Sequence, residues 1–379
     1  GNPDPGRPCN VEDKMRKGPV KQQAHRGPRS GKAVQVDAWL LVPSLLLVAA
    51  GIVMVGSSSI AITENHGVSA HYYLLRHVIY LLLGLGLAWV FRVIPVVFLR
   101  RISRPLMALS ALALLLVFIP GLGHRVNGSA RWITLGDVNF KVVDAVKIMV
   151  IIYMAAYLAR KADMVRTRFF DTLKPVMLAI VLTGLLLLQP DLGSAAVITA
   201  IVGGMVFLAG AAWRHLLLLG LLAAPLFGVA AMKTYRFQRI ISFMNPWEDP
   251  YDTGFQLTQA LIAVGRGEVF GVGLGASIQK LFYLPEAHTD FVFAVLAEEF
   301  GLLGVICILC LFMLLVTRIM VIGLVAHRSG RPFAGNLAYG IGLWIGLQAL
   351  VSIGVNLGAL PTKGLTLPLI SSGGSSVLM

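Results

Sequence analysis

Residues 283–301 join the longest polar loop of the chain to a long apolar helix, and they read Tyr283-Leu284-Pro285-Glu286-Ala287-His288-Thr289-Asp290-Phe291-Val292-Phe293-Ala294-Val295-Leu296-Ala297-Glu298-Glu299-Phe300-Gly301. Three carboxylates of this stretch, those of Asp290, Glu298 and Glu299, stand in or beside sequence that is apolar enough for hydrocarbon. An ionisable group at membrane depth costs several kcal/mol unless it faces protein or water. The stretch therefore predicts a functional site at the start of a helix in a membrane-embedded bundle.

The position of Asp290 allows two interpretations. Acids cluster at helix starts, so Thr289 or Asp290 is placed to cap the helix that follows, with no further role. Alternatively, the carboxylate carries chemistry at the mouth of the bundle. Glu298 and Glu299 lie two turns deeper and cannot point the same way on a helix, so at least one of them is predicted to pair with another helix.

Composition places the whole chain in a membrane. Of 379 residues, 57% are hydrophobic and only 13% are charged, and the mean hydropathy is +0.79. These values indicate a polytopic membrane protein. The net charge of +14 does not indicate nucleic-acid binding, because no basic run is interleaved with aromatics and the cations lie in short loops between apolar spans.

The apolar segments predict an all-α bundle of ten transmembrane helices, with a long loop, residues 235–289, between helices 7 and 8. A spanning helix needs about twenty residues, so we expect the tenth, incomplete segment to continue past Met379. The ten segments are residues 39–62, 72–94, 105–120, 142–159, 175–189, 192–212, 214–234, 290–317, 335–359 and 366–379.

The distribution of positive charge predicts the orientation. Groups of Arg and Lys follow the second, fourth and eighth segments, and Arg214 follows the sixth. Positive loops stay on the cytoplasmic side, so the N-terminus is predicted to be cytoplasmic and the 235–289 loop extracytoplasmic. Residues 1–37 are polar and basic without apolar periodicity, which is typical of a disordered cytoplasmic arm. Residues 38–379 then form the transmembrane domain.

The long loop carries two further features. Residues 256–264 have an amphipathic pattern, which is typical of a helix. The glycines of residues 265–267 and 271–275 resemble a phosphate-binding loop, but the strand before and the helix after that such a site requires are missing. We predict flexible or close-packed backbone there rather than a cofactor site.

Polar residues converge on the predicted outer face. They are Arg131 in a loop at 125–133, Asp144 and Lys147 one turn apart in the fourth segment, Asp191 in a hairpin, Glu286, His288, Lys363, and Ser371 and Ser372 at the opening of the last helix. Structural roles fit several of them: Asp144 and Lys147 can neutralise each other, Asp191 can cap a helix, and the serines allow close packing.

Together these groups suit an anionic, partly lipidic ligand. Cations would hold a phosphate and a carboxylate would act as a base. The residues demand no cofactor, although a divalent cation (Mg or Mn) bound jointly by carboxylates and phosphate is compatible with them.

Four blocks in order resemble the SEDS family (shape, elongation, division and sporulation). These blocks are Asn127 to Ile133, Gln189 to Gly193, Leu284 to Glu299, and Lys363 through Ser376, and the resemblance extends over nearly all of residues 39–379. The sequence from Pro285 to Phe291 is similar to that of the division branch of this family. The family usually has Phe-Gln-Pro-Ser-Glu-x-x-Lys where this chain has residues 140–147, so Asp144 and Lys147 keep the acid and the lysine while Lys141, Val142 and Val143 alter the turn.

The resemblance implies a peptidoglycan glycosyltransferase that polymerises lipid II at the outer leaflet during septal cell-wall synthesis. It implies ten transmembrane helices in the bacterial cytoplasmic (inner) membrane at the division septum. Asp290 corresponds to the family's catalytic acid, the general base. A class B penicillin-binding protein (the septal transpeptidase) and other divisome membrane proteins are the implied partners. A lipid II flippase and a non-catalytic divisome scaffold remain as alternatives, because intramembrane charges fit a substrate path equally well.

Overall fold

The structure is a computed structural model, and it describes Gly1 and residues 37–66, 72–119, 123–126, 129–135, 138–232, 234–252, 254–281, 284–285, 287–374 and 377. Of the predicted basic arm, residues 1–37, only Gly1 and Asp37 are described.

Helices dominate the described part of the chain, and a helix lies at each of the first nine predicted segments. The elements are α1 (Ala38–His66), α2 (Tyr72–Val93), α3 (Val96–Leu116), β1 (Gly123–Val126), β2 (Ser129–Leu135), β3 (Val138–Lys141), α4 (Val142–Arg160), α5 (Ala162–Thr167), α6 (Phe169–Leu188), α7 (Leu192–Leu208), α8 (Trp213–Ala231), α9 (Thr234–Met244), α10 (Phe255–Arg266), α11 (Val292–Arg328) and α12 (Pro332–Asn356).

The spanning helices support the predicted fold class, an all-α polytopic bundle. By length and composition, α1, α2, α4, α6, α11 and α12 could each cross a membrane, and α7 and α8 are shorter apolar helices. The total of ten spans stays a prediction.

The tenth segment begins differently from the prediction. Residues 370–373 do not open a helix, and among the described residues after α12 only Gly374 and Val377 are helical. Leu369 has a φ of 64°, which interrupts helical geometry. The backbone at Leu369 and Ile370 instead packs on Gly51 of α1, where an added Cβ would lie 2.8 Å from the Leu369 carbonyl oxygen.

The centre of the bundle is formed by α4 and α12. Helix α12 packs against α11, α4 and α7. Small residues make the approach close: a Cβ on Gly340 would lie 2.5 Å from Ile151, and one on Gly204 would lie 2.8 Å from Leu343. Without a hydrophobic driving force between helices in lipid, such close packing holds a bundle together.

A small antiparallel sheet, in the order β1-β2-β3, stands where the sequence predicted a loop at 125–133. Asn127-Gly128 separates β1 from β2 in the sequence, and this dipeptide is a strong hairpin signal. In the sheet, Trp132 pairs with Lys141. Strand β3 leads directly into α4, with Lys141 at the N-cap position.

The amphipathic run at 256–264 lies within α10. The glycine-rich stretch that follows pairs its backbone with an interruption in α11 at Gly301, where φ is 64° and ψ is −161°. Val272 N–H donates to the Glu298 carbonyl at 2.9 Å, and Leu302 N–H donates to the Glu268 carbonyl at 2.9 Å. The prediction of close-packed backbone is therefore confirmed here.

The two adjacent acids of α11 face different partners. Lys280 Nζ lies 2.7 Å from Glu299 Oε1, and Ser57 of α1 donates to the same oxygen at 2.6 Å. Glu298 accepts hydrogen bonds from the Ser277 hydroxyl and from the Ile278 N–H at 3.1 Å. The prediction that at least one acid pairs with another helix is confirmed by the contact to α1.

Candidate active site

The candidate site is organised by residues 361–373, which we call the 361–373 segment. This segment lies between α12 and Gly374 and contains no helix, and residues 368–370 form a turn. It contacts the starts of α4, α7 and α11, which the chain brings to one end of the bundle. Elements far apart in sequence therefore contribute side chains to one region.

Asp290 lies at the start of α11, beside this segment. Its Oδ2 atom is 3.1 Å from the position that a Cβ would occupy on Gly364. The Asp290 side chain is half-buried and Gly364 is exposed, so the carboxylate borders an accessible surface. The N-cap of α11 is Phe291, so the interpretation of Thr289 or Asp290 as the N-cap residue is wrong.

Lysines approach the same part of the segment. Lys141 Nζ donates to the Gly364 carbonyl at 3.3 Å. A Cβ on Gly193, near the start of α7, would lie 3.6 Å from Lys363 Cβ. Lys363 therefore lies beside the start of α7. Gly364 is contacted by Lys141 and lies beside Asp290. A carboxylate and two cations consequently border one stretch of backbone.

Asp191 has the capping role that its position predicted. It is the N-cap of α7 and its Oδ1 accepts from the Ser194 N–H at 3.2 Å. Its Oδ2 accepts from the Ser194 hydroxyl at 2.7 Å. The carboxylate is buried, so the cap fixes the start of α7 against the 361–373 segment. A role for Asp191 in ligand binding stays a prediction.

Asp144 and Lys147 form the ion pair that their spacing predicted. Lys147 Nζ is 2.8 Å from Asp144 Oδ1, and the side chains are 0% and 5% exposed. Lys147 Nζ also donates to Gln348 Oε1 at 3.0 Å, and Gln348 Nε2 donates to the Thr366 carbonyl at 3.0 Å. The pair therefore reaches the 361–373 segment through Gln348. Direct contact with a ligand stays a prediction.

The two predicted serines make internal hydrogen bonds. Ser371 Oγ accepts from the Leu367 N–H at 2.8 Å. Ser372 donates to the His288 carbonyl from its hydroxyl at 2.7 Å and from its N–H at 3.1 Å. The His288 ring lies 5.4 Å from that of Tyr73, measured between centroids. These contacts hold the turn before Asp290 to the segment.

Two predicted residues are described only in part or not at all. Arg131 belongs to β2, but its side chain lies outside the described residues. Glu286 also lies outside them, so its proximity to Asp290 stays a prediction from the sequence.

Sequence reasoning missed three residues that shape this region, Lys141, Gln348 and Asn356, and it also missed Lys280, which pairs with Glu299 of α11. Asn356 and Gln348 lie within the predicted ninth span, where a polar side chain needs an internal partner. That signal was available in the sequence. Lys280 gave no comparable signal, because its partner Glu299 becomes adjacent only when the loop folds onto α11.

The arrangement can support acid–base and phosphate chemistry. A partly exposed carboxylate is available to accept a proton, and neighbouring ammonium groups can neutralise a phosphate. Among the residues that the structure describes, no group of three or more His, Cys, Asp or Glu side chains is placed to hold a metal ion.

Comparison with known sequences identifies close relatives. The family model described as "Cell cycle protein" (FtsW, RodA and SpoVE) matches residues 38–379. The protein named "Probable peptidoglycan glycosyltransferase FtsW" of Coxiella burnetii is 50% identical over 344 residues, which cover 90% of this chain and 92% of that protein. Its namesake in Halorhodospira halophila is 49% identical over 360 residues, which cover 94% and 90%.

Solved structures show the same fold. A chain of the structure described as "Structural coordination of polymerization and crosslinking by a peptidoglycan synthase complex" aligns with a TM-score of 0.74 at 32% identity, covering 91% of this chain and 94% of that one. The crystal structure of the rod shape determining protein RodA of Thermus thermophilus aligns with a TM-score of 0.65 at 32% identity, covering 91% and 93%.

Proposed function

The chain belongs to the FtsW/RodA/SpoVE family of cell cycle proteins, and from this premise we propose that it is a peptidoglycan glycosyltransferase which polymerises lipid II with Asp290 as the general base. The observation that carries the role of Asp290 is its position. The carboxylate is half-buried at the start of α11, it lies beside Gly364, and Lys141 reaches the same residue.

The proposed step is a direct glycosyl transfer. Asp290 accepts the proton of the sugar 4-hydroxyl of the acceptor lipid II as that oxygen attacks the anomeric carbon of the growing chain. The new bond joins the anomeric carbon to the acceptor oxygen. The bond to the undecaprenyl pyrophosphate breaks, and that group leaves with its electron pair. A general base typically contributes about 10²–10⁴-fold, so charge neutralisation and positioning must supply the rest.

Cations around the 361–373 segment would stabilise the leaving pyrophosphate. Lys363 is partly exposed and Lys141 reaches the same stretch, so these two can approach a phosphate directly. Arg131 is the third candidate from the sequence. Lys147 is buried and already bonded to Asp144 and Gln348, so we assign it an indirect part, through Gln348, in shaping the site. Charge that develops on a leaving group is stabilised best by such prearranged donors.

The proposal includes a divalent cation (Mg or Mn) only as an ion that protein carboxylate and substrate phosphate bind jointly. Asp290 would help to hold such a cation, and the cation would supply positive charge that neutralises the leaving pyrophosphate, since hard cations take oxygen ligands.

The proposal includes a partner and a location. The chain is an integral membrane protein that we place in the bacterial inner membrane, with its activity at the division septum. A penicillin-binding protein of class B is the expected partner. One chain of a peptidoglycan synthase complex has this fold, and that complex coordinates polymerization and crosslinking. Other divisome membrane proteins are further expected partners.

The deciding assay combines purified full-length chain, lipid II and proteoliposomes, with and without a class B transpeptidase. We expect glycan polymer with the partner and low activity alone. Lipid II translocation is measured in parallel with a headgroup-labelled substrate. Translocation without polymer would identify a flippase, and neither activity, despite a folded complex, would identify a scaffold.

Orientation gives a separate prediction that follows from the charged loops. In a background with Cys9, Cys307 and Cys310 replaced by serine, one cysteine is placed at Ser329, between α11 and α12, or at Tyr251, in the 235–289 loop. Both positions are exposed. A membrane-impermeant thiol reagent should label the Tyr251→Cys protein in intact cells and the Ser329→Cys protein only after permeabilisation. The reverse labelling pattern would refute the orientation.

A further inference from the structure

The side chain of Asn356, at the last residue of α12, bridges two helices at the start of α11. Its Nδ2 donates to the Asp290 carbonyl at 3.1 Å and to the Ser352 carbonyl of its own helix at 2.8 Å. Its Oδ1 accepts from the Ala294 N–H at 3.0 Å. The residue is 0% exposed. One amide therefore contacts backbone on both sides of the α11 start.

These contacts determine the orientation of the amide. An Asn side chain offers two donors and one acceptor oxygen, and here both donors and the oxygen have backbone partners. Exchange of oxygen and nitrogen would set a donor against the Ala294 N–H and an acceptor against the Asp290 carbonyl. A buried mismatch of that kind leaves polar groups without partners and strongly disfavours the exchanged orientation. The bridge is consequently a fixed element of the fold.

The Asn356 side chain holds the peptide group that joins Asp290 to Phe291. The carbonyl carbon that it holds is bonded to the Cα that carries the carboxylate, so rotation of this peptide moves the side chain. Two residues earlier, Ser372 holds the His288 carbonyl. Two separate segments, the end of α12 and the 361–373 segment, therefore fix the backbone on either side of Thr289 and leave the Asp290 side chain facing Gly364.

We propose that Asn356 is a positioning residue for Asp290, which aims the carboxylate at the acceptor hydroxyl by holding the Asp290 carbonyl. This inference rests on the proposed function, because it assumes that Asp290 is the base. A reacting group that is misplaced by about 1 Å can lose about a hundredfold in rate. Asn356 is fully buried, so its removal should change turnover more than substrate affinity.

The test uses Asn356→Ala, and Asn356→Asp as a second variant that keeps the volume and an acceptor oxygen for Ala294 but removes the amide donors to the Asp290 and Ser352 carbonyls. Asn336→Ala is the matched control, because Asn336 is a buried asparagine at the opposite end of α12 whose Oδ1 lies 3.0 Å from His327 Nε2. Full-length proteins are compared in proteoliposomes with the same partner, for melting temperature and for the kcat and KM of polymerisation. Each Asn356 change is also combined with Asp290→Asn.

We expect Asn336→Ala to lower the melting temperature with near-normal kcat, and Asn356→Ala to lower kcat by about tenfold to a hundredfold with KM changed less than about twofold. In the Asp290→Asn background, the Asn356 changes should cause no further loss, because the group that they position is already gone. An unchanged kcat in both Asn356 variants would overturn the inference, and so would an equal loss in both backgrounds. A fully active Asp290→Asn protein would instead refute the assignment of the base.

Discussion

Asp290→Asn should lower glycan polymerisation by about a hundredfold or more while the protein still folds and binds its partner. The change keeps the size of the side chain but removes the basic carboxylate. Phe291 holds the N-cap position of α11, and asparagine caps a helix about as well as aspartate does, so the substitution should cost little helix stability. The Asp290 carbonyl, which Asn356 holds, is also unaffected. A large loss would therefore report on chemistry rather than on folding.

Asp171→Asn is the control for the Asp290 experiment. Asp171 is a buried aspartate at the start of α6, and its Oδ1 lies 2.9 Å from Lys161 Nζ, far along the chain from the candidate site. Its neutralisation should reduce the melting temperature modestly and leave polymerisation near normal. Polymer formation in proteoliposomes and thermal melting are the two measurements. Near-normal polymer from a folded Asp290→Asn protein would remove Asp290 from the mechanism and make Glu286 the next candidate.

The sequence predicted the positions of the spanning helices because lipid imposes a long apolar run on each of them. The predicted helix boundaries differ from the observed ones where charged residues lie within a helix. Helix α3 begins at Val96, well before the predicted residue 105, because Arg100, Arg101 and Arg104 interrupt the apolar pattern without interrupting the helix. Long basic side chains at a helix end can extend to the interface. After α12 the prediction placed a helix where none begins. The apolar pattern of residues 366–379 predicted it, but Leu369 has a positive φ.

Local relations in the candidate site could be predicted and distant ones could not. The Asp144–Lys147 pair and the Asp191 cap depend on spacings of three residues, which a single sequence reveals. Asn356 and Asp290 are 66 residues apart, and Lys147 and Gln348 are 201 apart. The apolar pattern shows that such polar residues need partners, but only the packing of α4, α11 and α12 shows which partners they have.

Lys147→Met should destabilise the protein by about 3–5 kcal/mol, because it leaves the Asp144 carboxylate buried without its counter-charge. The Lys147 and Asp144 side chains are 0% and 5% exposed, so water cannot replace the lost ammonium. Lys161→Met is the matched control. Lys161 pairs with Asp171 at a similar distance of 2.9 Å but is 37% exposed, so its loss should cost about 1 kcal/mol or less. The measurement is thermal and denaturant unfolding of both purified variants.

The double variant Asp144→Leu/Lys147→Met then separates stability from function. Replacement of a buried ion pair by apolar side chains is often neutral or stabilising, so we expect the melting temperature to return towards the wild-type value. Polymerisation should nevertheless stay reduced by about tenfold or more, because Gln348 Oε1 loses one of its two donors, Lys147, and keeps only Trp344. The support that Gln348 gives to the 361–373 segment at Thr366 is weakened as a result. Wild-type polymerisation by the stable double variant would show that Asp144 and Lys147 only neutralise each other, and equal destabilisation by Lys147→Met and Lys161→Met would contradict the buried pair itself.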